Sequence, residues 1–114
     1  MRVYDPDKYV GGWFIGDFEP SIWRTSSFEA GYKHHKMGEP WPAHYHEHMD
    51  EVTFLLEGKM QICGETLSGP VIFVLDRMQT ADPIFITDCK VFIIKAPSVP
   101  GDKVVVTTTE KSNG

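Results

Sequence analysis

Short apolar runs, cut by glycine, proline and aspartate, recur along the whole chain. They are rich in Val, Ile, Phe and Thr, which favour strands. No stretch of a dozen residues keeps the 3.6-residue period of an amphipathic helix. Many short strands with regular turns are typical of a sandwich or barrel, so we predict an all-β fold. The predicted strands cover residues 13–15, 27–34, 43–46, 51–56, 59–63, 71–75, 84–86, 90–95 and 103–107.

The turns between these runs predict close antiparallel pairing. Glu57-Gly58 and Gly64-Glu65 each separate two apolar runs, and short loops that contain glycine are typical of hairpins. Residues 71–75 are continuously apolar, which favours a strand that is covered on both faces.

Length and charge exclude several classes of protein. The 114 residues fit one domain, 1–114, and the small polar residues 107–114 are expected to fray. The formal net charge of −5 offers no basic face to a nucleic acid. No apolar run approaches the roughly 20 residues that cross a bilayer. The chain opens without the apolar segment of a secretory signal, and Cys63 and Cys89 are interpreted as reduced thiols. We therefore expect a cytoplasmic protein without nucleic-acid or membrane partners.

Three histidines alternate over a few residues: His44, His46 and His48. Side chains at i and i+2 of a strand point the same way, so His44 and His46 project together, and His48 joins them only if the strand continues. Glu51 begins the next apolar run, where a neighbouring strand brings its carboxylate beside the two imidazoles. Two histidines and a carboxylate suit Zn, Fe, Ni or Mn and leave coordination positions open. For an isolated His-x-His, however, a solvated pair of histidines is the commoner outcome.

The context of these residues changes that balance. The histidines and Glu51 stand at fixed spacings between two glycines. The order is Gly38, five residues, His44-Tyr-His46, four residues, Glu51, six residues and Gly58. This arrangement resembles the first sequence motif of the cupin superfamily at every fixed position. The resemblance implies a double-stranded β-helix, a jelly-roll barrel whose metal ligands are His44, His46 and Glu51.

The second cupin motif is incomplete. Counted from Gly69, Leu75 and Arg77 replace the Pro and Gly of that motif, and Thr80 stands where its histidine belongs. A hydroxyl is a poor ligand for such an ion. Gln79, His48 or water are the alternatives for the missing ligand, and a site that has lost its metal is another.

Two functions follow from the resemblance. The first is a metal-dependent cupin, an isomerase, epimerase or oxygenase, acting on a small polar ligand, with His48 as the nearest candidate in sequence to move a proton. Residues 12–20 and 97–103 resemble small cupins that accompany nucleotide-sugar chemistry, which implies a sugar-derived ligand. The second is a non-catalytic binding or sensor module with a degenerate site. A homodimer is expected in both cases, because an unpaired strand edge invites pairing.

Other aromatic residues are given ordinary structural roles. Trp13 and Trp41 flank the predicted site in sequence only, and core packing or rim cover is the favoured interpretation. Since adjacent strand residues face opposite ways, at most one of His34 and His35 faces the interior.

Overall fold

The structure is a computed structural model that describes residues 1–106, so the predicted frayed tail at 107–114 lies outside the described residues. After two 3-10 turns at Pro6–Lys8 and Val10–Gly12, the described chain consists of strands and loops. The strands are β1 Trp13–Gly16, β2 Trp23–Arg24, β3 Glu29–His35, β4 His44–His46, β5 Asp50–Glu57, β6 Lys59–Ile62, β7 Glu65–Ser68, β8 Val71–Leu75, β9 Ile84–Phe85, β10 Cys89–Ala96 and β11 Lys103–Val105.

Three sheets enclose one interior. The largest has the order β2-β1-β3-β10-β5-β8, and all its neighbours are antiparallel except β1 and β2. A second sheet has the order β7-β6-β9, and β11 pairs with β4. Ala81 bridges to His44, which links β4 to the segment before β9. Non-consecutive strands therefore lie side by side, as they do in a jelly roll.

The predicted all-β fold is confirmed, and each of the nine predicted strands is present with small changes at its ends, except that the last residue of the predicted strand 103–107 lies outside the described residues. Two strands were not predicted, β2 and β7. Both are short and mostly exposed, so they lack the apolar alternation that identifies a half-buried strand.

One of the two predicted hairpins forms. Ile62 pairs with Glu65 across Cys63-Gly64, and both turn residues have positive φ. The hairpin at Glu57-Gly58 was wrong, because β6 pairs with β7 and β9 while β5 pairs with β8 and β10. Gly58 instead carries the chain from the large sheet to the small one. Its φ is +106°, and a side chain there would overlap the carbonyl oxygen of Asp88.

The core lies between the six-stranded and three-stranded sheets. Its buried members are Leu55, Met60, Ile62, Leu75, Ala81, Phe85, Cys89, Val91 and Ile93. The expectation that 71–75 is covered on both faces was wrong: within this chain Ile72 and Val74 are exposed, while Leu75 is buried.

Among residues 1–106 no helix is long and apolar enough to span a bilayer. Cys63 and Cys89 are free thiols, as predicted.

Candidate metal centre and ligand cavity

A cavity of about 210 Å³ opens at one end of the barrel. Its polar wall is formed by Lys33, His35, His44, Glu51, Thr53, Lys95 and Lys103. Trp13 and Trp41 also line it, and its apolar wall is formed by Met60, Ile62, Phe73, Leu75, Ala81, Pro83, Phe85, Val91 and Ile93. Ionisable groups therefore lie on one side of an otherwise apolar interior, which is the usual character of a ligand site.

Strand β5 brings a carboxylate into this interior. Glu51, Thr53 and Leu55 are buried, while Val52 and Phe54 between them are exposed. Alternation along the strand therefore turns two polar side chains inward. The hydroxyl of Thr53 donates to Glu51 Oε2 over 2.8 Å, which fixes the carboxylate.

Strand β4 supplies the two histidines as predicted. His44 and His46 are both buried and separated by the half-buried Tyr45. Their rings meet edge to face with centroids 5.5 Å apart. His44 Nδ1 donates to the carbonyl of Pro42 over 2.9 Å, which leaves Nε2 as the unprotonated nitrogen. Burial lowers the pKa of His44, so the neutral form that metals require is favoured.

His46 is the least satisfied polar side chain of this region. Within the described part of the chain, both of its ring nitrogens are buried and without a hydrogen-bond partner. Burial, reinforced by the charge of Lys95 and by His44, lowers the pKa of His46 to about 4. Its Nε2 lies 3.8 Å from Glu51 Oε1. An unpaired buried polar group is costly, so the position calls for a partner.

Lys95 competes for the same carboxylate. Its Nζ lies 4.0 Å from Glu51 Oε1, the oxygen that faces His46. In the sheet register Lys95 pairs with Glu29 on β3 and with Glu51 on β5, so one ammonium stands between two buried carboxylates. Ser98 donates to the Glu29 carboxylate over 2.9 Å.

The donor set fits a borderline divalent ion in its chemistry, since it combines two neutral imidazoles with a carboxylate and leaves His46 without any other partner. As the side chains stand, no three His, Cys, Asp or Glu groups of residues 1–106 lie close enough together to hold an ion. Binding would therefore require His44, His46 and Glu51 to draw closer than they lie here.

The structure does not bring the other predicted site residues to the cavity. The side chain of His48 is 64% exposed, and its Nδ1 lies 2.8 Å from Asp102 Oδ1. Burial works to raise the pKa of Asp102, but hydrogen bonds from His48 and Glu47 hold it below its usual value. Gln79 is exposed and donates to Cys63 Sγ over 3.9 Å.

The position opposite His44 also differs from the expected register. Thr80 is exposed, whereas Ala81 is buried, lines the cavity and exchanges two backbone hydrogen bonds with His44. Because directly opposed residues of an antiparallel pair project to the same side, Ala81 shares the face of His44. Counting from Gly69 therefore misses this position by one residue, since the segment before β9 is a loop.

Sequence reasoning missed the cationic wall of the cavity. Lys33, Lys95 and Lys103 come from β3, β10 and β11, and we name them the lysine cluster. Burial, together with the charges of Lys95 and Lys103, lowers the pKa of Lys33. Burial is also the main cause of the lowered pKa of Lys95 and Lys103. Lys33 and Lys95 are half-buried between exposed neighbours, whereas Lys103 is an exposed residue of β11, so their convergence on the cavity follows only from the topology.

Two aromatic residues and a histidine complete the wall. Trp13 and Trp41 pack against the core, in agreement with the predicted core packing or rim cover, and both also line the cavity beneath lysine ammonium groups. His35 faces inward, stacks on Phe85 with centroids 4.2 Å apart, and its Nδ1 lies 2.7 Å from Glu39 Oε2. His34 is exposed, as the alternation of the pair predicted.

Comparison with known proteins shows which solved structures have a similar architecture. Neither the models of protein families nor the curated proteins give a match to the sequence. Among solved structures, an uncharacterized conserved protein with a double-stranded β-helix domain from Klebsiella pneumoniae subsp. pneumoniae MGH 78578 has a TM-score of 0.67 at 16% identity, over 92% of this chain and 91% of that one. The DMSP lyase DddQ from Ruegeria pomeroyi DSS-3 has a TM-score of 0.67 at 15% identity, over 82% of this chain and 49% of that one. A cupin-2 domain containing protein from Shewanella frigidimarina NCIMB 400 has a TM-score of 0.53 at 20% identity, over 66% and 76%.

These likenesses establish the fold. At such identities they say nothing of substrate or reaction, but the three structures share the double-stranded β-helix architecture described above. The chain has the double-stranded β-helix fold that the resemblance of its first motif implied.

Proposed function

We propose that this protein is a small cupin that binds a divalent metal ion through His44, His46 and Glu51 and holds a small polar ligand in the adjoining cavity. The observation that carries the proposal is His46, whose two ring nitrogens are buried without a partner beside Glu51. Neutral imidazole is a good ligand for Zn, Fe, Ni and Mn, among which the donor set does not choose.

The neighbouring residues support such a site. The Pro42 carbonyl fixes the tautomer of His44, and Thr53 orients the carboxylate of Glu51. Partners of this kind hold ligands in place around metals. A bound ion would supply a Lewis acid beside the cavity. The ligand is proposed to be sugar-derived, which the indole rings of Trp13 and Trp41 in the wall support.

A non-catalytic binding module is the second candidate. It is favoured by the placement of His48, the residue predicted to move a proton, which is exposed and bonded to Asp102 outside the cavity wall. It is also favoured by Lys95, whose ammonium already neutralises Glu51. The two candidates share the cavity and differ in whether a metal is retained and chemistry follows.

Thermal melts with added Zn, Ni, Mn or Fe(II) test the metal proposal. An ion that binds only the native state raises the melting temperature by mass action. We expect a rise in the wild type and none in the His44→Ala, His46→Ala double variant. A His34→Ala, His48→Ala double variant removes two exposed histidines and should keep the rise. Equal shifts in wild type and the His44 and His46 variant would contradict the proposal.

We also propose that the protein is a homodimer through the outside of the six-stranded sheet. The outer apolar face is formed by Tyr32, Val52, Phe54, Ile72, Val74, Phe92 and Ile94, which the register places in two adjoining rows. Contiguous apolar patches above a few hundred Å² are uncommon on monomers. A second copy is the favoured occupant, because these seven residues are uncharged, the nearby Lys90 is already paired with Glu57, and a twofold contact of identical patches is self-complementary.

A further inference from the structure

Three ammonium groups converge in the cavity from three different strands. Lys33 Nζ lies 5.1 Å from the ring centroid of Trp13 and 5.3 Å from that of Trp41. Lys95 Nζ lies 4.7 Å from the Trp13 ring, and Lys103 Nζ lies 4.7 Å from the Trp41 ring. The lysine cluster and the two indoles thus alternate along one wall.

The charges in this wall do not balance. The cavity lining holds three lysines and a single carboxylate, that of Glu51. Lys95 is matched by Glu51 and Glu29, but Lys33 and Lys103 have no ion-pair partner among residues 1–106. Burial lowers the pKa of all three lysines, and like-charge repulsion adds to this at Lys33, from Lys95 and Lys103, and at Lys103, from Lys95.

Packing on the tryptophans does not account for the arrangement. A lysine stem can cover an indole ring with its ammonium directed into water. Here the ammonium groups lie over the rings and point into the cavity that His44 and Glu51 also line. Aromatic faces attract a cation without neutralising it. Glu39 and Glu51 favour the charged form of Lys33, and Glu51 that of Lys103, but neither lysine is closely paired, so a bound anion would supply the direct partner that both lack among residues 1–106.

We propose that the cavity binds a small organic anion, a carboxylate or a phosphate, with its charged group among Lys33, Lys95 and Lys103. This rests on the proposed function only in taking the cavity as the ligand site. The body of the anion would lie against the apolar wall at Ile62, Phe73 and Phe85. A cavity of about 210 Å³ suits a molecule somewhat larger than benzene, since a protein cavity of about 150 Å³ binds benzene.

Calorimetric titration of the full chain tests the inference with five probes. Benzoate and glucuronate carry a carboxylate on an aromatic and on a sugar body, and phenyl phosphate carries a phosphate. Benzamide is the neutral counterpart of the two aromatic anions, and glucose is that of glucuronate. We expect at least one anion to bind at least tenfold more tightly than its neutral counterpart, and the anion that binds identifies the headgroup and body.

Lysine variants locate the binding. Lys33→Met and Lys103→Met are preferred, because neither removal leaves a buried carboxylate unpaired. Each should weaken the anion at least tenfold, while Lys59→Met, which removes an exposed lysine, should leave the affinity unchanged. A melting temperature for each variant shows that it is folded. No binding of any anion, equal binding of anion and neutral counterpart, or full affinity in both cavity variants would overturn the inference.

The same titrations are repeated with chelator and with metal content measured. Lysine-dependent anion binding in metal-free protein supports the inference even if the metal proposal fails. Metal bound through His44 and His46 without any lysine-dependent anion binding overturns the inference and leaves the metal proposal intact.

Discussion

Near the proposed metal site, the inner and outer faces of the six-stranded sheet reverse the usual division between apolar interior and polar exterior, although the rest of the inner face is the apolar core. On β5, Glu51 and Thr53 point inward whereas Val52 and Phe54 point outward. On β10, Lys95 points inward whereas Ile94 is exposed. Burying charge is costly and exposing a contiguous apolar face invites association. The difference between the two faces is what the proposed ligand site inside and the proposed second copy outside would require.

The largest loss of stability is expected from removing Lys95, which lies beside Glu29 and Glu51 in the sheet register. Lys95→Met leaves Glu29 and Glu51 buried without their shared cation, and removal of one partner of a buried pair costs about 3 kcal/mol or more. Ile94→Met, one residue away on the outer face, should cost less than about 0.5 kcal/mol. Urea unfolding in chelator measures both variants. Adding Glu51→Gln to Lys95→Met should recover part of the loss, and equal costs for the two single variants would remove the contrast between the faces.

A comparable effect is expected from acid. In metal-free protein the pKa of His46 is lowered to about 4, whereas an imidazole in the unfolded chain titrates near 6.5. Between these pH values the unfolded state binds more protons than the folded state. The neutral His46 therefore makes its full contribution to the free energy of unfolding above pH 6.5, and this contribution is lost as the pH falls towards 4. The loss from this group amounts to about 3 kcal/mol. A His46→Gln variant should lack that part of the pH dependence, while His34→Gln, on the exposed side of β3, should retain it.

The outer face is tested by a charge. Phe54→Lys places an ammonium in the middle of the outer apolar face, and we expect it to raise the dimer dissociation constant at least tenfold. Ile84→Lys, at an exposed position of β9 in the three-stranded sheet, serves as the control. Sedimentation velocity over a range of concentrations reports both. A wild type that stays monomeric throughout would refute the homodimer.

The smallest effect is expected on metal affinity, and it tests which residue lies opposite His44. Ala81→His adds an imidazole on the inward side, and a tenfold gain in metal affinity is expected because imidazole is a strong donor to such ions. Thr80→His adds the same group on the exposed side and should give no gain. Metal titration by calorimetry distinguishes them. A gain at Thr80 alone would restore the register counted from the cupin motif.

Much of the fold could be predicted from the sequence, because the strands that enclose the core carry dense β-branched and aromatic residues. The strands that were missed, β2 and β7, are exposed and carry little of that pattern. Parity along β4 correctly turned His44 and His46 the same way, since alternation is a local property.

Non-local arrangement was beyond the same reasoning. Lys33, Lys95 and Lys103 are separated by many residues and meet only because β3, β10 and β11 surround one cavity. His48 follows His46 by two residues, yet it leaves the strand and bonds to Asp102. Periodicity ends where the strand ends, and the sequence near His48 does not show which partner lies 54 residues away.

The central claim, that the inner face of this cupin holds a metal ion at His44, His46 and Glu51, is tested most directly by elemental analysis. Protein without an affinity tag, purified without chelator, should contain close to one divalent metal ion per chain, and His46→Ala should contain almost none. A metal-free wild type that takes up no ion from Zn, Ni, Mn or Fe(II) solutions, or a His46→Ala variant with undiminished metal, would contradict the account.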